Sequence, residues 1–232
     1  MSYKYVVDTN RGLVQQVGKL GSDYDKWLHQ PIHSRSSPKL YDNKLAELLT
    51  LTPWWLVPVL WIPFVAWNFA VMLRRHVDPI TKLSVILLGI FLWTLFEYLT
   101  HRFVFHMKIR GYCANTLHYI LHGFHHKHPM DKYRLVYPPV AVAFIYVSLS
   151  SFGRLFIPDL IFPGVRTGFL LGYVLYDLFH YYMHHGKPSI PVMKKLQNYH
   201  IYHHFKGEDD SYGVTTMFWD KVFGTWPTSY SN

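Results

Sequence analysis

Four stretches of this 232-residue chain are apolar enough to leave water, and polar residues close each of them. From Pro53 to Leu73 there is no charge over a length that crosses the hydrocarbon core of a bilayer as a helix. The run from Leu83 to Phe96 ends at Glu97 and predicts a helix over 83–100. A third run, 135–153, is uncharged until Arg154 and predicts a span near 138–157. The fourth, from Thr167 to Tyr176, soon meets Asp177, but Leu178, Phe179 and Tyr181 to Met183 prolong it to give 165–183. Core helices of a soluble protein compete with this reading for the shorter runs. Two longer runs, with Trp54, Trp55, Trp61 and Trp67 near or inside the first, favour the membrane.

The fold class that follows is an all-α integral membrane protein with about four transmembrane helices. Residues 1–52 form a polar N-terminal segment ahead of a membrane domain over 53–232. Gly12, Gly18, Gly21, Pro31, Pro38 and the Ser34 to Ser37 stretch make its first forty residues loop, with one short helix around Asp23 to His29. Leu45, Leu48 and Leu49 recur at helical spacing between Asp42 and Thr52, which suits a helix lying at the membrane interface. No N-terminal apolar stretch resembles a cleavable signal, so targeting falls to the first span.

Charge then orients the spans. All Lys and Arg except Arg74, Arg75, Lys82, Arg154 and Arg166 fall in the N-terminal segment, the 101–137 connection or the C-terminal tail. Cytoplasmic segments hold such an excess, so these three share the cytosolic side. The single Cys113 excludes an intrachain disulfide and agrees with a reducing compartment. A net charge of +9 suits anionic headgroups or an acidic protein partner. Nucleic acid is not expected, because no recognition motif accompanies the charge.

The chemistry lies in ten of the 16 histidines, which form two clusters with matching spacing. Within 101–128 the pattern is His101, His106, then His122, His125 and His126. Within 180–204 it is His180, His184, then His200, His203 and His204. The step from 106 to 122 equals the step from 184 to 200. On a helix, positions i, i+3 and i+4 share a face, so each triplet is expected to point its nitrogens one way, each hairpin delivering its own metal-binding cap. His101 and His106, at i and i+5, do not share a face on a regular helix; a break in the helix or service to different metals would reconcile them. Ten imidazoles exceed what a closed zinc site takes. Two ions with about five nitrogens each leave an open position, as a redox metal that binds dioxygen requires, and iron fits best. Two zinc ions remain compatible if some histidines stand outside the ligand set. A cytosolic helical cap holding this dimetal centre would meet a substrate entering from the bilayer, with oxygen-dependent attack on a C–H bond; hydroxylation and desaturation stay open. A metal transporter is the non-enzyme alternative, but its ligands should lie within the spans rather than after them.

Further candidates surround the clusters. Glu97 precedes His101 by four residues and Asp177 precedes His180 by three, so each could accept the second N–H of a metal-bound imidazole; Asp131, Asn198 and His118 are weaker candidates. Tyr173, Tyr176, Phe179 and Tyr181 are candidates to line an acyl channel. Lys127, Lys132, Arg134, Lys187, Lys194, Lys195 and Lys206 could steer an acidic redox partner, since this chain has no other electron-carrying cofactor. His128 and His185 lie beside the repeat but outside it, and His29, His33 and His76 have no partners in sequence.

His101-Arg102-Phe103-Val104-Phe105-His106, Leu121-His122-Gly123-Phe124-His125-His126-Lys127-His128-Pro129, Tyr176-Asp177-Leu178-Phe179-His180-Tyr181-Tyr182-Met183-His184-His185-Gly186 and Tyr199-His200-Ile201-Tyr202-His203-His204 together resemble the fatty acid 2-hydroxylases of sphingolipid metabolism. The likeness extends to Asp131-Lys132-Tyr133-Arg134-Leu135-Val136, to Trp27 through Ile32, and to the closing Trp219-Asp220-Lys221-Val222-Phe223-Gly224-Thr225. It implies a di-iron enzyme of the endoplasmic reticulum that hydroxylates the carbon next to the carboxyl or amide of a very-long-chain acyl group, as ceramide. Purified protein could carry zinc in place of the two iron ions. Fungal and animal members begin with a fused cytochrome b5 domain whose haem-binding His-Pro-Gly-Gly segment is missing here. In this the chain resembles the plant-type enzymes, which take electrons from a separate cytochrome b5. A related histidine-rich sterol or acyl-CoA oxidase or desaturase is the alternative enzyme.

Overall fold

The computed structural model describes residues 5–33, 37–108, 111–207 and 209–228, and among these every regular element is helical. The Ser34 to Ser36 part of the expected N-terminal loop lies outside the described residues. The rest of that segment is more ordered than its glycines suggest. It forms α1 (Val14–Val17), a 3-10 turn over Gly18–Asp23 and α2 (Tyr24–Leu28). Leu13, Val17, Leu20, Tyr24 and Leu28 are buried against Tyr119 and Phe124, so burial rather than local propensity orders them. Gly18 permits that contact, because a Cβ there would stand 2.6 Å from the Tyr112 ring.

Asn43 caps α3 (Lys44–Thr50), its side chain accepting from the Leu45 and Ala46 N–H groups. Leu45, Leu48 and Leu49 point outward from it, as an interfacial helix requires. Among the described residues two helices are long and apolar enough to cross a membrane: α4 (Leu56–Leu73) and α5 (Pro79–Thr100), the latter running on through a π-helical turn to Phe105. Asp78 and Pro79 start α5 by a side-chain cap and a proline at its first position. Both leave large apolar side chains uncovered, among them Val59, Phe64, Trp67, Leu87 and Phe91, which water would disfavour and lipid would not.

Beyond the short α6 (Tyr112–His118), a second π turn (Tyr119–Gly123) and α7 (Phe124–Lys127) lies α8 (Pro139–Gly153), apolar but only 15 residues long. The last long helix, α9 (Phe162–His185), has 24 residues and is buried along much of its length. It is the central helix rather than a lipid-facing one, packed against α4 and α5. A stripe of Gly164, Gly168 and Gly172 brings α5 against it. A Cβ on Gly168 would lie 1.9 Å from the Ile86 carbonyl, and one on Gly89 would lie 2.1 Å from the Val165 carbonyl. Small residues four apart let two backbones meet this closely. The chain ends with α10 (Pro191–Phe205), an extended loop and α11 (Phe218–Val222).

Candidate metal centre

Five elements bring the ten histidines to one end of the α4, α5 and α9 assembly: the turn after α5, the second π turn, α7, the C-terminal end of α9, and α10. They form two groups of five. His101, His106, His122, His126 and His203 make one, and His125, His180, His184, His200 and His204 make the other, with the ligand atoms of each group all within 4.8 Å of one another. The grouping corrects the expectation that each triplet points its three nitrogens one way. The middle histidine of each triplet crosses over: His125 joins the α9 and α10 histidines, and His203 joins those of the first cluster. Successive helical residues stand about 100° apart, so i and i+4 point together while i+3 diverges toward the neighbouring group.

His101 and His106 join the same group because the helix widens between them. The His106 N–H donates to the His101 carbonyl at 3.1 Å, an i+5 closure that restores a shared face at that spacing. His122 also sits in a π turn. By contrast His180 and His184, and His200 and His204, are ordinary i, i+4 pairs on α9 and α10.

Within the first group the Nε2 atoms run His126, His122, His101, His106, His203 at successive separations of 3.0, 3.1, 3.2 and 3.0 Å. The second group holds His180 to His125 at 2.9 Å, His184 to His200 at 2.8 Å and His204 to His200 at 3.1 Å. Two backbone carbonyls decide where protons sit. His101 Nδ1 donates to the Tyr212 carbonyl at 2.5 Å and His203 Nδ1 to the Asp210 carbonyl at 2.9 Å. A carbonyl only accepts, so in the neutral rings both Nε2 atoms are bare lone pairs. His106 Nε2 lies between them and can donate to one at most. At least one bare Nε2 lone pair therefore faces another ring nitrogen at about 3 Å with no proton between them, an arrangement that a cation relieves. Burial pushes His106, His122, His125, His126, His200 and His204 well below the ordinary imidazole range and His203 down to about 4. The rings are thus neutral donors to a metal at physiological pH.

Two adjoining cavities lie near the groups, and of the two the smaller is the one lined by histidines. One of about 190 Å³ lies between α5, α8 and α9 and is lined mostly by apolar side chains, with Trp93, Val142, Leu170, Tyr173 and Tyr176 on its wall. A smaller one of about 90 Å³ shares Leu121, Tyr137 and Tyr176 with it and carries His122, His125 and His180. Of the four residues expected to line an acyl channel, Tyr173 and Tyr176 line these cavities. Phe179 and Tyr181 do not: they line a separate open groove beside Trp54.

Residues 86–225 match the fatty acid hydroxylase family. The chain belongs to that family. It is 45% identical over 225 residues to the dihydroceramide fatty acyl 2-hydroxylase FAH1 of Arabidopsis thaliana, the match covering 97% of this chain and 95% of that protein. Against the fatty acid 2-hydroxylase of Homo sapiens the identity is 37%, over 96% of this chain and 65% of the other. A solved structure of full-length scs7p, with only the hydroxylase domain visible, is similar with a TM-score of 0.89 at 37% identity, covering 97% of this chain and 87% of that one. The expected resemblance is borne out, and with it an enzyme rather than a transporter.

The acids of this hydroxylase sit otherwise than spacing suggested. Glu97 bonds to a loop rather than to an imidazole: its carboxylate accepts from the Val214 and Thr215 N–H groups and the Thr215 hydroxyl. Asp177 accepts from the Tyr137 N–H at 3.4 Å. Asp131 accepts from Ser37 and pairs with Arg134. Asn198 is exposed. His118 is bonded through Nδ1 to the Tyr24 hydroxyl at 2.8 Å, beside the first group but outside it. Two residues expected on the docking surface are internal. Lys127 is buried and donates to the Trp27 and Gln30 carbonyls, and Arg134, 4% exposed, is tied to Glu47, Ser37 and Asp131. Lys132, Lys187, Lys194, Lys195 and Lys206 are exposed. Sequence reasoning missed the carbonyls of Asp210 and Tyr212, which no side-chain pattern announces, and the buried Asp220, which lies within the closing Trp219 to Thr225 run.

Proposed function

We propose that this chain is a membrane di-iron monooxygenase that hydroxylates C2 of the very-long-chain acyl group of ceramides, using dioxygen and electrons from cytochrome b5. The observation that carries the reading is the meeting of an apolar cavity with two interleaved groups of five neutral imidazoles. In this reading α8 and α9 cross the membrane with α4 and α5, in the endoplasmic reticulum, and the histidines face the cytosol. The activities of the relatives, dihydroceramide fatty acyl 2-hydroxylase and fatty acid 2-hydroxylase, support the substrate class.

His101, His106, His122, His126 and His203 would hold one iron and His125, His180, His184, His200 and His204 the other. Bound there, the pair supplies reduction of dioxygen and oxidation of an unactivated C–H bond, which zinc cannot supply because it does not change valence. The chain's own part is positional. Trp93, Leu170 and Val142 hold the acyl tail in the larger cavity and exclude water from it. The head-group end then falls at Tyr137 and Tyr176, beside His122, His125 and His180, so the carbon nearest the head is the one presented. The exposed Lys132, Lys187, Lys194, Lys195 and Lys206 form the basic surface proposed for the acidic electron donor.

The deciding measurement is mass spectrometry of sphingolipids from cells that carry this chain in place of their own hydroxylase. Gain of one oxygen atom on the acyl moiety is expected. Its absence in cells that make the folded protein sinks the reading, and an oxygen on the long-chain base or a sterol would replace the substrate.

A further inference from the structure

We propose that Asp220, with Glu97 as a second anchor, is a positioning residue for only one of the two metal ions, acting through peptide planes of the 210–215 loop. The inference rests on the two-ion reading above and deepens it.

Asp220 is fully buried. Its Oδ1 accepts from the Tyr212 N–H and the Thr225 hydroxyl, each at 2.8 Å, and its Oδ2 accepts from the Gly213 N–H at 2.8 Å. In a planar trans peptide the N–H and C=O point in opposite directions. The Gly213 N–H belongs to the same peptide as the Tyr212 carbonyl, so the bond to Asp220 aims that carbonyl at His101. The second route is one step longer. The Ser211 N–H donates to the Thr225 carbonyl at 3.0 Å, and Thr225 is itself held by the Asp220 carboxylate through its hydroxyl, while its N–H donates to the Asp220 backbone carbonyl. That Ser211 N–H shares its peptide with the Asp210 carbonyl, which receives His203 Nδ1. One carboxylate thereby orients both carbonyls that fix His101 and His203.

Ser211 between them has φ 62°, a left-handed conformation costly for a residue with a Cβ and kept only where the surroundings impose it. Glu97 takes up the next two N–H groups, of Val214 and Thr215, at 2.9 and 2.8 Å and so pins the loop to α5 one turn before His101. Five successive N–H groups, from 211 to 215, are thus committed, which leaves the loop little freedom to turn its carbonyls away. His101 and His203 belong to the same group of five. In the other group the Nδ1 atoms of His180, His184, His200 and His204 accept or donate no hydrogen bond to the loop or to any other described residue.

The test loads the purified full chain with zinc, used as a redox-silent probe, and counts ions retained against increasing chelator. Asp220→Asn keeps the shape of the side chain but sets an amide N–H against a backbone N–H. One ion should be released at about 10- to 100-fold weaker chelation, the usual effect of losing an outer partner of a ligating histidine, and the other at the unmodified strength. Glu97→Gln, which preserves an acceptor for the two N–H groups, should loosen the same ion by a smaller factor, with helical content unchanged in both variants. Release of both ions at unmodified strength, or an equal loosening of both, overturns the proposal. Should Asp220→Asn not fold, the Glu97→Gln profile decides by the same criterion. Failure of the two-ion reading itself would show in the unmodified chain, as fewer than two ions bound at saturation.

Discussion

The two groups of five imidazoles look equivalent in composition yet are held by different physics. The group of His125, His180, His184, His200 and His204 is buried throughout and draws four members from i, i+4 pairs on two regular helices. Helix packing positions it, and its rings have few hydrogen bonds to lean on. The group of His101, His106, His122, His126 and His203 stands on two π turns, includes the half-buried His106, and has two rings oriented by backbone carbonyls. A widened helix gives unusual side-chain placement at the cost of regular backbone bonding, and hydrogen bonds to a loop then restore precision. Packing defects should therefore strike the His180 group hardest, and loop defects the His101 group.

The largest effect should come from a contact that underlies both groups, the α5 and α9 interface. Gly168→Leu inserts a side chain where even a Cβ meets the Ile86 carbonyl at 1.9 Å. Overpacking of that kind costs about 1–3 kcal/mol or more and separates the helices that carry His101 and His180. Purified yield, metal content and hydroxylation should all collapse. Retention of both ions would show that the histidine cap assembles independently of the helices beneath it.

Double substitutions sharpen the assignment of ligands to groups. His122→Ala with His203→Ala removes two ligands from a single group, although the two lie 81 positions apart in the chain. His122→Ala with His125→Ala removes one ligand from each, although they belong to one motif. The first pair should leave one ion tightly held, and the second should weaken both, while hydroxylation is lost in either case. Elemental analysis under a fixed chelator reads the difference. The opposite outcome would restore the arrangement of one metal per sequence cluster.

That contrast marks how far the sequence was legible. The histidine repeat, its ten members and the apolar runs beside it were readable because ligand spacing and hydropathy are local properties. The exchange of His125 and His203 was not, because a shared helical face is too coarse a description when two groups of imidazoles lie side by side. The i+5 spacing of His101 and His106 was visible as an anomaly, and its resolution as a π turn needed the backbone. Glu97 was singled out as a partner for an imidazole, but its hydrogen bonds go to a loop more than a hundred residues away. The first forty residues read as loop since their core partners, Tyr119 and Phe124, come from elsewhere in the chain. Likewise α9 gave the least convincing apolar run because protein rather than lipid surrounds it.

A smaller effect should separate the ligands from the substrate path. Val142→Trp fills part of the larger cavity without touching a histidine. Both ions should remain, while turnover on long acyl chains falls about tenfold, a loss of roughly 1.4 kcal/mol in transition-state binding. Shorter chains should suffer less. Product chain-length profiles check this, and an equal loss for every length would place the acyl tail elsewhere.

The smallest effect concerns the surface over both groups. Lys187, Lys194 and Lys206 are exposed, whereas Lys127 is internal and bonded to the Trp27 and Gln30 carbonyls. Reversing the three exposed lysines to Glu should leave both ions, the fold and turnover at saturating electron donor unchanged, and slow reduction by cytochrome b5 only several-fold. Electrostatic steering acts on encounter, so the deficit should be greatest at low ionic strength and fade as the Debye length falls below about 10 Å near 0.1 M salt. Lys127→Ala should do the reverse: it removes the donor that ties α7, which carries His125 and His126, to the N-terminal segment, so stability should drop while the salt dependence of reduction stays as it was. Stopped-flow reduction across a salt series, run beside thermal unfolding, reads both quantities. If Lys127→Ala changed the salt dependence and the triple reversal did not, the electron donor would have to approach from the N-terminal segment, on the side of the His101 group.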